Sequence, residues 1–451
     1  MITRIEAYGY RCFQTLGVDL GRYHVFAGAN GAGKTTLLDI PALLGDMLDR
    51  RRVVSAFLER QEHGRAPRAS TPVELLHKGE GDSIGFAVEA RLDDDLSEVL
   101  AQAAQVRHGE RRVHTHLRYE LRLRVTPRTV DVETEYLYLD FRADTGVEME
   151  ASPHGTAERG LEEVPPNRRP VIMRSSRSPA TGYLPETNTM VTDLVLPEKF
   201  PAQTEPSPGN VAIPPLRVPF EQLALGSIPS DETLFPAALW FAQLLRERAV
   251  FFAPDWEALR RPAPPGDPLR LLPSGGNMPW LALHLQQTDT ERFAAWVDHV
   301  RSALPQVAAI HAVEREEDHY AYFSVEYTGG YRVTSSGLSD GTLRILALTL
   351  LPYLGEKVMP RLLVTEEPEN GIHPRAIETV VESLSSLWDT QVLVSTHSPI
   401  VLAHTELSDV LAARLNDDGS VGVVRGDRHP RLREWRGSLD VGTLFASGVL
   451  S

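Results

Sequence analysis

The sequence predicts an α/β protein: a mainly parallel sheet with helices, an antiparallel β subdomain, and a loop-rich insertion between them. Three observations carry this. A glycine-rich turn, GANGAGKTT (Gly28 to Thr36), sits between an apolar run and a helical pattern. Residues 83–141 alternate polar and apolar side chains with period two. The last third alternates helical patterns with short apolar runs, as parallel strands joined by helices do.

In chain order, RIEAYGY alternates and YHVFAG is an apolar strand. KTTLLDIPALLGDMLDRRR spaces Leu38, Ile40, Leu43, Leu44 and Met47 as a helix would. SIGFAVEARL, LRYELRLRV and VDVETEYLYLDF read as antiparallel strands. Residues 150–235, rich in Pro, Ser, Thr and Gly, read as an insertion with long loops. Helical patterns return in ETLFPAALWFAQLLRERA, ERFAAWVDHVRSAL, DGTLRILALTLLPYL and AIETVVESLSSLW. RLLVTEE and QVLVSTHS are the strands among them. The expected segments are an N-terminal lobe at 1–145, an insertion at 146–245 and a C-terminal lobe at 246–451.

Composition narrows the function. The chain of 451 residues can build more than one core without crosslinks, and its single cysteine, Cys12, suits a reducing cytoplasm. The opening MITRIEAYGYRCF lacks a signal-peptide pattern, and the longest apolar runs fall far short of a membrane span. A soluble cytoplasmic protein with no membrane partner is expected. The formal charge of −15 argues against a broadly basic nucleic-acid surface. Local arginine runs at 168–177, 49–52 and 425–436 leave DNA open as a partner, against the plainer reading of ion-paired faces.

The chemistry lies in four stretches. Gly28, Gly33, Lys34 and Thr35 fit the phosphate-loop pattern G-x-x-x-x-G-K-[ST], so Gly28, Asn30, Gly31, Gly33, Lys34, Thr35 and Thr36 are candidate nucleotide ligands. Lys34 would reach the β- and γ-phosphates of ATP, and the Thr35 hydroxyl would hold Mg²⁺. LLVTEEPENGIHP ends a strand in two acids: Glu366 for the metal and Glu367 to orient and deprotonate water. His397 closes the next strand, in reach of a γ-phosphate if the strands end together. Ser339, Asp340 and Gly341 open an apolar helix, where Ser339 can cap it or its hydroxyl and free N–H groups can meet an anion.

These motifs resemble those of ABC-type ATPases. LSDGT is similar to their signature motif, LLVTEEP to their Walker B strand and VSTHSP to their switch histidine, in the same order. The long interval between Lys34 and Ser339 is similar to that of SMC/RecF-like proteins and of the ATPase half of overcoming-lysogenization-defect (OLD) nucleases. FFAPDWEALRR, LSDGTLRILAL, EEPENGIHP and THSPIVL together resemble the compact AAA/ABC-hybrid ATPases near the OLD group, over residues 1–50 and 250–410. The resemblance implies a P-loop NTPase with an ABC-type core. It implies a composite site as well: Lys34, Thr35, Glu366, Glu367 and His397 hold ATP on one protomer, and Ser339 and Gly341 close on it from a second. ATP would join two copies head to tail, and hydrolysis would release them.

Asp340 stands where such signatures carry Gly, and Thr342 where they carry Gln. The acid calls for a neutralising cation, Arg344 or another. Gln61 is the available glutamine for a Q-loop. No heptad repeat runs between 83 and 330, so a long coiled-coil arm is not expected. The stretch after His397 is too short for the Toprim nuclease domain of OLD proteins, and Asp417 and Asp418 read as a hairpin turn. Nuclease or toxin activity would then belong to a separate effector, as in bacterial anti-phage systems. The alternatives are a DNA-repair ATPase and a slow ATP-dependent scaffold. Glu366 replaces the usual Asp with a stem one methylene longer, which implies a working site of slow turnover.

Overall fold

The computed structural model describes residues 1–61, 65–108, 113–140, 168–175, 178–183, 186, 216–416 and 418–428. They form two compact units. One comprises Met1–Leu20 with Pro41–Arg246, and the other Gly21–Ile40 with the chain from Glu247 onward. The glycine loop therefore groups with the C-terminal half; the units divide at Arg246 and Glu247, one residue from the expected division at 245, and 145 falls inside the first unit.

The first unit is an eight-stranded antiparallel sheet. Its spatial order is Phe13–Asp19, Ile2–Tyr10, Ser83–Arg91, His116–Val125, Val130–Asp140, Arg168–Ser175, Ser178–Tyr183 and Leu216–Arg217. Alternation puts Leu117, Tyr119, Leu121 and Leu123 on one face, all buried, and Arg118, Glu120, Arg122 and Arg124 on the other. Arg168–Ser175 and Ser178–Tyr183 extend the sheet inside the segment expected to be loop. Buried Val171, Ile172 and Met173 drive that strand, a run too short to register as periodic. Most of the expected insertion lies outside the described residues. The helix Pro236–Gln243 starts on Glu186, whose carboxyl accepts from the N–H groups of Ala237 (2.6 Å) and Ala238 (2.8 Å). Burial pushes that carboxyl up to about 7 against those two bonds.

The second unit holds a six-stranded sheet in the order Ala249–Phe252, Leu362–Glu366, Gln391–Thr396, Tyr23–Ala27, Val410–Leu415, Val421–Arg425. The first five run parallel and the last returns antiparallel. Their near-continuous apolar stretches match a sheet covered on both faces. The helices Met278–Thr288, Thr290–Ala303, Asp340–Leu350 and Pro374–Ser385 supply a core around Trp296, Phe323, Leu346, Leu363 and Val392. Trp296 sits fully buried because its indole N–H donates to Thr349 Oγ1 at 3.1 Å. A three-stranded antiparallel sheet, Val307–Glu314, Ala321–Tyr327 and Arg332–Thr334, was not anticipated. Asp418 Oδ1 accepts from Ser420 N (2.9 Å) and Ser420 Oγ (2.6 Å) in the expected hairpin turn, while Asp417 lies outside the described residues. No helix among the described residues is long and apolar enough to cross a membrane.

Candidate functional site

Three neighbouring parallel strands set the site's frame. Glu366 pairs with Ser395, and Thr396 pairs with Ala27, so the strands end side by side. The glycine loop leaves one end, the paired glutamates stand at the next, and His397 follows the third. This is the carboxyl edge where α/β sheets bind ligands.

Gly28 passes so close to the neighbouring strand that a Cβ there would lie 2.5 Å from the carbonyl oxygen of Ala413. Ala29, Asn30 and Gly31 form the exposed crest of the loop. Gly33, in the left-handed region at φ +74°, turns the chain into the short helix Lys34–Leu38. That helix breaks at Asp39, and a second, Ile40–Asp49, continues the pattern read as one. Lys34 is buried and bends back to donate from Nζ to the carbonyls of Gly28 (2.7 Å) and Ala29 (2.9 Å). Burial lowers its pKa, and the charges of Glu367 and Glu366 act in the opposite direction.

Thr35 Oγ1 donates to Glu366 Oε1. Two hard oxygen ligands thus meet at one point, a donor set suited to Mg²⁺, which takes few protein ligands and completes its octahedron with phosphate and water. At Glu367 the strand ends abruptly. Its φ is +43°, in the left-handed region that costs a residue with a side chain about 1 kcal/mol. The turn is nonetheless held: Glu367 N donates to Ser395 O at 2.8 Å, and Asn370 N to Glu367 O at 3.0 Å. Asn370 Nδ2 also donates to Glu367 Oε2, while Oε1 faces His397 Nε2 at 3.4 Å. Both side chains are about one-third exposed (38% and 32%), so a ligand can reach them. Burial first and Lys34 second lower the His397 pKa, against Glu367, which favours a neutral imidazole.

One residue of this stretch was not legible in the sequence. Glu369 is buried behind the site, where Oε1 accepts from Thr396 Oγ1 at 2.5 Å. Burial raises its pKa, and the nearby charge of Glu367 adds to the effect. Its place in an acid-rich turn gave no sign of burial.

Ser339 caps the helix Asp340–Leu350, with Oγ accepting from Thr342 N at 3.2 Å and lying 2.9 Å from Thr342 Oγ1. Gly341 fits beneath the loop that follows the glutamates, since a Cβ there would be 2.8 Å from Gly371 O. The cation bonded to Asp340 is Arg260, at 2.5 Å, and Arg344 is near enough for the charge of Asp340 to act on it. Arg344 lies over the Trp256 ring, 4.1 Å from its centroid, and the sequence interval from 260 to 340 concealed the directly bonded partner. Gln61 donates from Nε2 to Ala66 O at 2.9 Å in the other unit, bracing its own loop.

Residues 24–403 match the family described as "AAA domain, putative AbiEii toxin, Type IV TA system". The chain belongs to this family. The matched range takes in every motif of the site, and the P-loop α/β fold class expected from the sequence is that of this AAA-domain family. Over 96 residues the chain is 31% identical to the Old nuclease of Escherichia phage P2, a match spanning 19% of this chain and 16% of that protein. Two solved Smc structures align over 94% of the chain. An SmcHead bound to the C-winged helix domain of ScpA is 12% identical, with a TM-score of 0.49 and 97% of its own chain covered. An Smc head domain bound to the C-terminal domain of ScpA, derived from Pyrococcus furiosus, is 11% identical, with a TM-score of 0.46 and 95% covered.

Proposed function

We propose that this AAA-domain protein binds ATP with Mg²⁺, hydrolyses it, and uses the cycle to join and then separate a pair of copies that regulate a distinct effector. The reading rests on one juxtaposition: Thr35 on Glu366, with Glu367 against His397, beside the Lys34 loop. Thr35 and Glu366 would hold Mg²⁺, which when bound neutralises phosphate charge. Lys34 would exchange its loop carbonyls for phosphate oxygens. Glu367 orients a water and takes its proton, and neutral His397 donates towards the phosphate that is released. Asn30, Gly31, Gly33 and Thr36 line the phosphate path through their backbone N–H groups, and Ser339 and Gly341 approach from a second copy.

The effector half of the proposal draws on the family's toxin–antitoxin description and on the match to a phage nuclease. The DNA-repair alternative draws less support, because several described arginines of these runs are committed. Arg50 pairs with Glu59 at 2.9 Å, Arg174 is buried, and Arg425 holds Asp427 at 2.6 Å. Residues 429–436 of the last run lie outside the described residues.

Glu367→Gln is the deciding variant. It is expected to retain ATP and accumulate a dimer on size-exclusion chromatography with light scattering; normal hydrolysis by this variant overturns the assignment of the base. What copurifies with it, a partner chain or DNA, separates the two roles. A large gain in turnover in Glu366→Asp identifies the longer acid as a brake on the cycle.

A further inference from the structure

The antiparallel unit carries a cavity of about 200 Å³ unrelated to the ATP motifs. Cross-strand register builds it. One row runs Tyr8, Gly85, Arg122, Thr134, and the next Glu6, Ala87, Glu120, Tyr136, across four strands. The second strand contributes only Gly85 and Ala87 to these rows, so its stretch of the floor stays low while Tyr8 and Tyr136 rise on either side. A Cβ at position 85 would already lie 3.4 Å from the Tyr8 side chain.

The polar groups around the cavity are unequally used. The Arg122 guanidinium is spent on Glu133 (3.2 Å) and Ser83 Oγ (3.1 Å). The Tyr8 hydroxyl donates to Glu6 at 2.7 Å, and Tyr136 stacks on Tyr138 with centroids 5.9 Å apart. Glu120 differs. Its side chain is 7% exposed and Oε1 accepts from Arg118 Nε at 2.5 Å, yet Oε2 is buried with no hydrogen-bond partner among the described residues. Arg118 cannot satisfy it, because the same guanidinium also serves Glu6 (2.7 Å) and Glu89 (2.7 Å). Arg168 Nη1 lies 3.6 Å from Oε1, too far for a hydrogen bond, and Oε2 stays unpartnered. A buried carboxylate oxygen without a donor is costly, and here the surplus is of acceptor. The Tyr136 hydroxyl registers the charge of that carboxylate: burial first and Glu120 second push its pKa up to about 12.

We propose that this cavity binds a cationic nitrogen group, guanidinium or alkylammonium, which donates to Glu120 and lies against Tyr8 and Tyr136. Both halves of the recognition are favourable to a cation: a charge-assisted bond to the carboxylate and the negative faces of two aromatic rings. An anion would meet Glu120 with Arg122 already engaged. The shared chemistry fits a small free amine or an Arg or Lys side chain of another chain.

Methylguanidinium chloride, titrated into the full chain by calorimetry with urea as the neutral isostere, tests this. Saturable binding with a Kd of roughly millimolar is expected, with no binding of urea. Glu120→Gln should weaken it at least about tenfold, the loss of one charge-assisted bond. Because Glu120 also supports Arg118, Tyr136→Leu provides a second variant that leaves the ion cluster alone. It should weaken binding several-fold with an unchanged circular dichroism spectrum. A capped arginine dipeptide that binds more tightly than methylguanidinium assigns the site to a partner's side chain; equal affinity assigns it to a free cation. Absence of methylguanidinium binding, or affinity unaltered in both variants, overturns the proposal and leaves water as the partner of that oxygen.

Discussion

The two units use the same residue, glutamate, in opposite ways. In the antiparallel unit Glu6, Glu89 and Glu120 sit in mid-strand, buried, around the Arg118 guanidinium, with Arg4 also on Glu6 at 2.6 Å and Arg168 3.6 Å from Glu120. In the parallel unit Glu366 and Glu367 stand at a strand tip, partly open to solvent, with a hydroxyl, an amide and an imidazole as partners. A carboxylate held directly on a guanidinium, as Glu6 and Glu89 are, serves the fold. One offered only neutral partners keeps its capacity for a metal, a phosphate-bound water or a proton. Position along the strand decides which: mid-strand side chains meet neighbours on both sides, and tip side chains meet the space beyond the sheet.

The comparison is broken most directly at Arg118. Arg118→Met should cost about 3–5 kcal/mol, because it strands several buried carboxylates at once, and should lower the thermal midpoint by circular dichroism. An unchanged midpoint means that these acids are neutral or wet. Glu367→Gln offers the contrast: turnover falls about a hundredfold or more, while the midpoint moves by less than about 0.5 kcal/mol equivalent. A large loss of stability there would place Glu367 in the fold's own network.

Acid should act on the first unit. Burial alone would raise the Glu6 carboxyl, but Arg118 foremost, then Arg4 and Tyr8, hold it at about 2 against 4.5 ordinarily. A depressed carboxyl contributes stability that is complete above the unfolded value and is lost as pH falls from about 4.5 towards 2, here up to about 3 kcal/mol. Thermal midpoints measured down this range should fall less steeply in Glu6→Gln than in wild type. The smallest effect belongs to Asp340. Its side chain is 60% exposed, and Asp340→Asn, which loses Arg260, should change stability by under about 1 kcal/mol. A shift in ATP-dependent dimerisation in that variant, read by light scattering, would give the acid a role in closure.

Much of the site could be read from the chain alone. Gly28 to Thr36, Glu366, Glu367 and His397 each follow a short apolar strand, and strands of one parallel sheet bring their ends together. The signals are local, and the topology does the rest. What escaped was non-local. Arg260 reaches Asp340 through a helix whose sequence says nothing of its neighbour. The strand Arg168–Ser175 hid in a Pro-rich background, and the sheet from 307 to 334 lacked a clean alternation. The cavity over Gly85 needed register, since Tyr8, Glu120 and Tyr136 come from three separate strands. One clue was present: RIEAYGY and HLRYELRLRV place their charges on a single face, and a charged face on a central strand must find partners or a ligand.

The bend at Glu367 has a consequence for how this position changes over generations. At φ +43°, glycine or asparagine would fold at least as comfortably as glutamate. Folding alone would therefore let mutation carry the position towards those residues. A lineage that no longer hydrolyses ATP should be recognisable by that drift: Gly or Asn after the strand, with Pro368 and the loop beyond it intact. Under the proposed role of Glu367 as base, a lineage that keeps Glu there tolerates local strain on behalf of that chemistry.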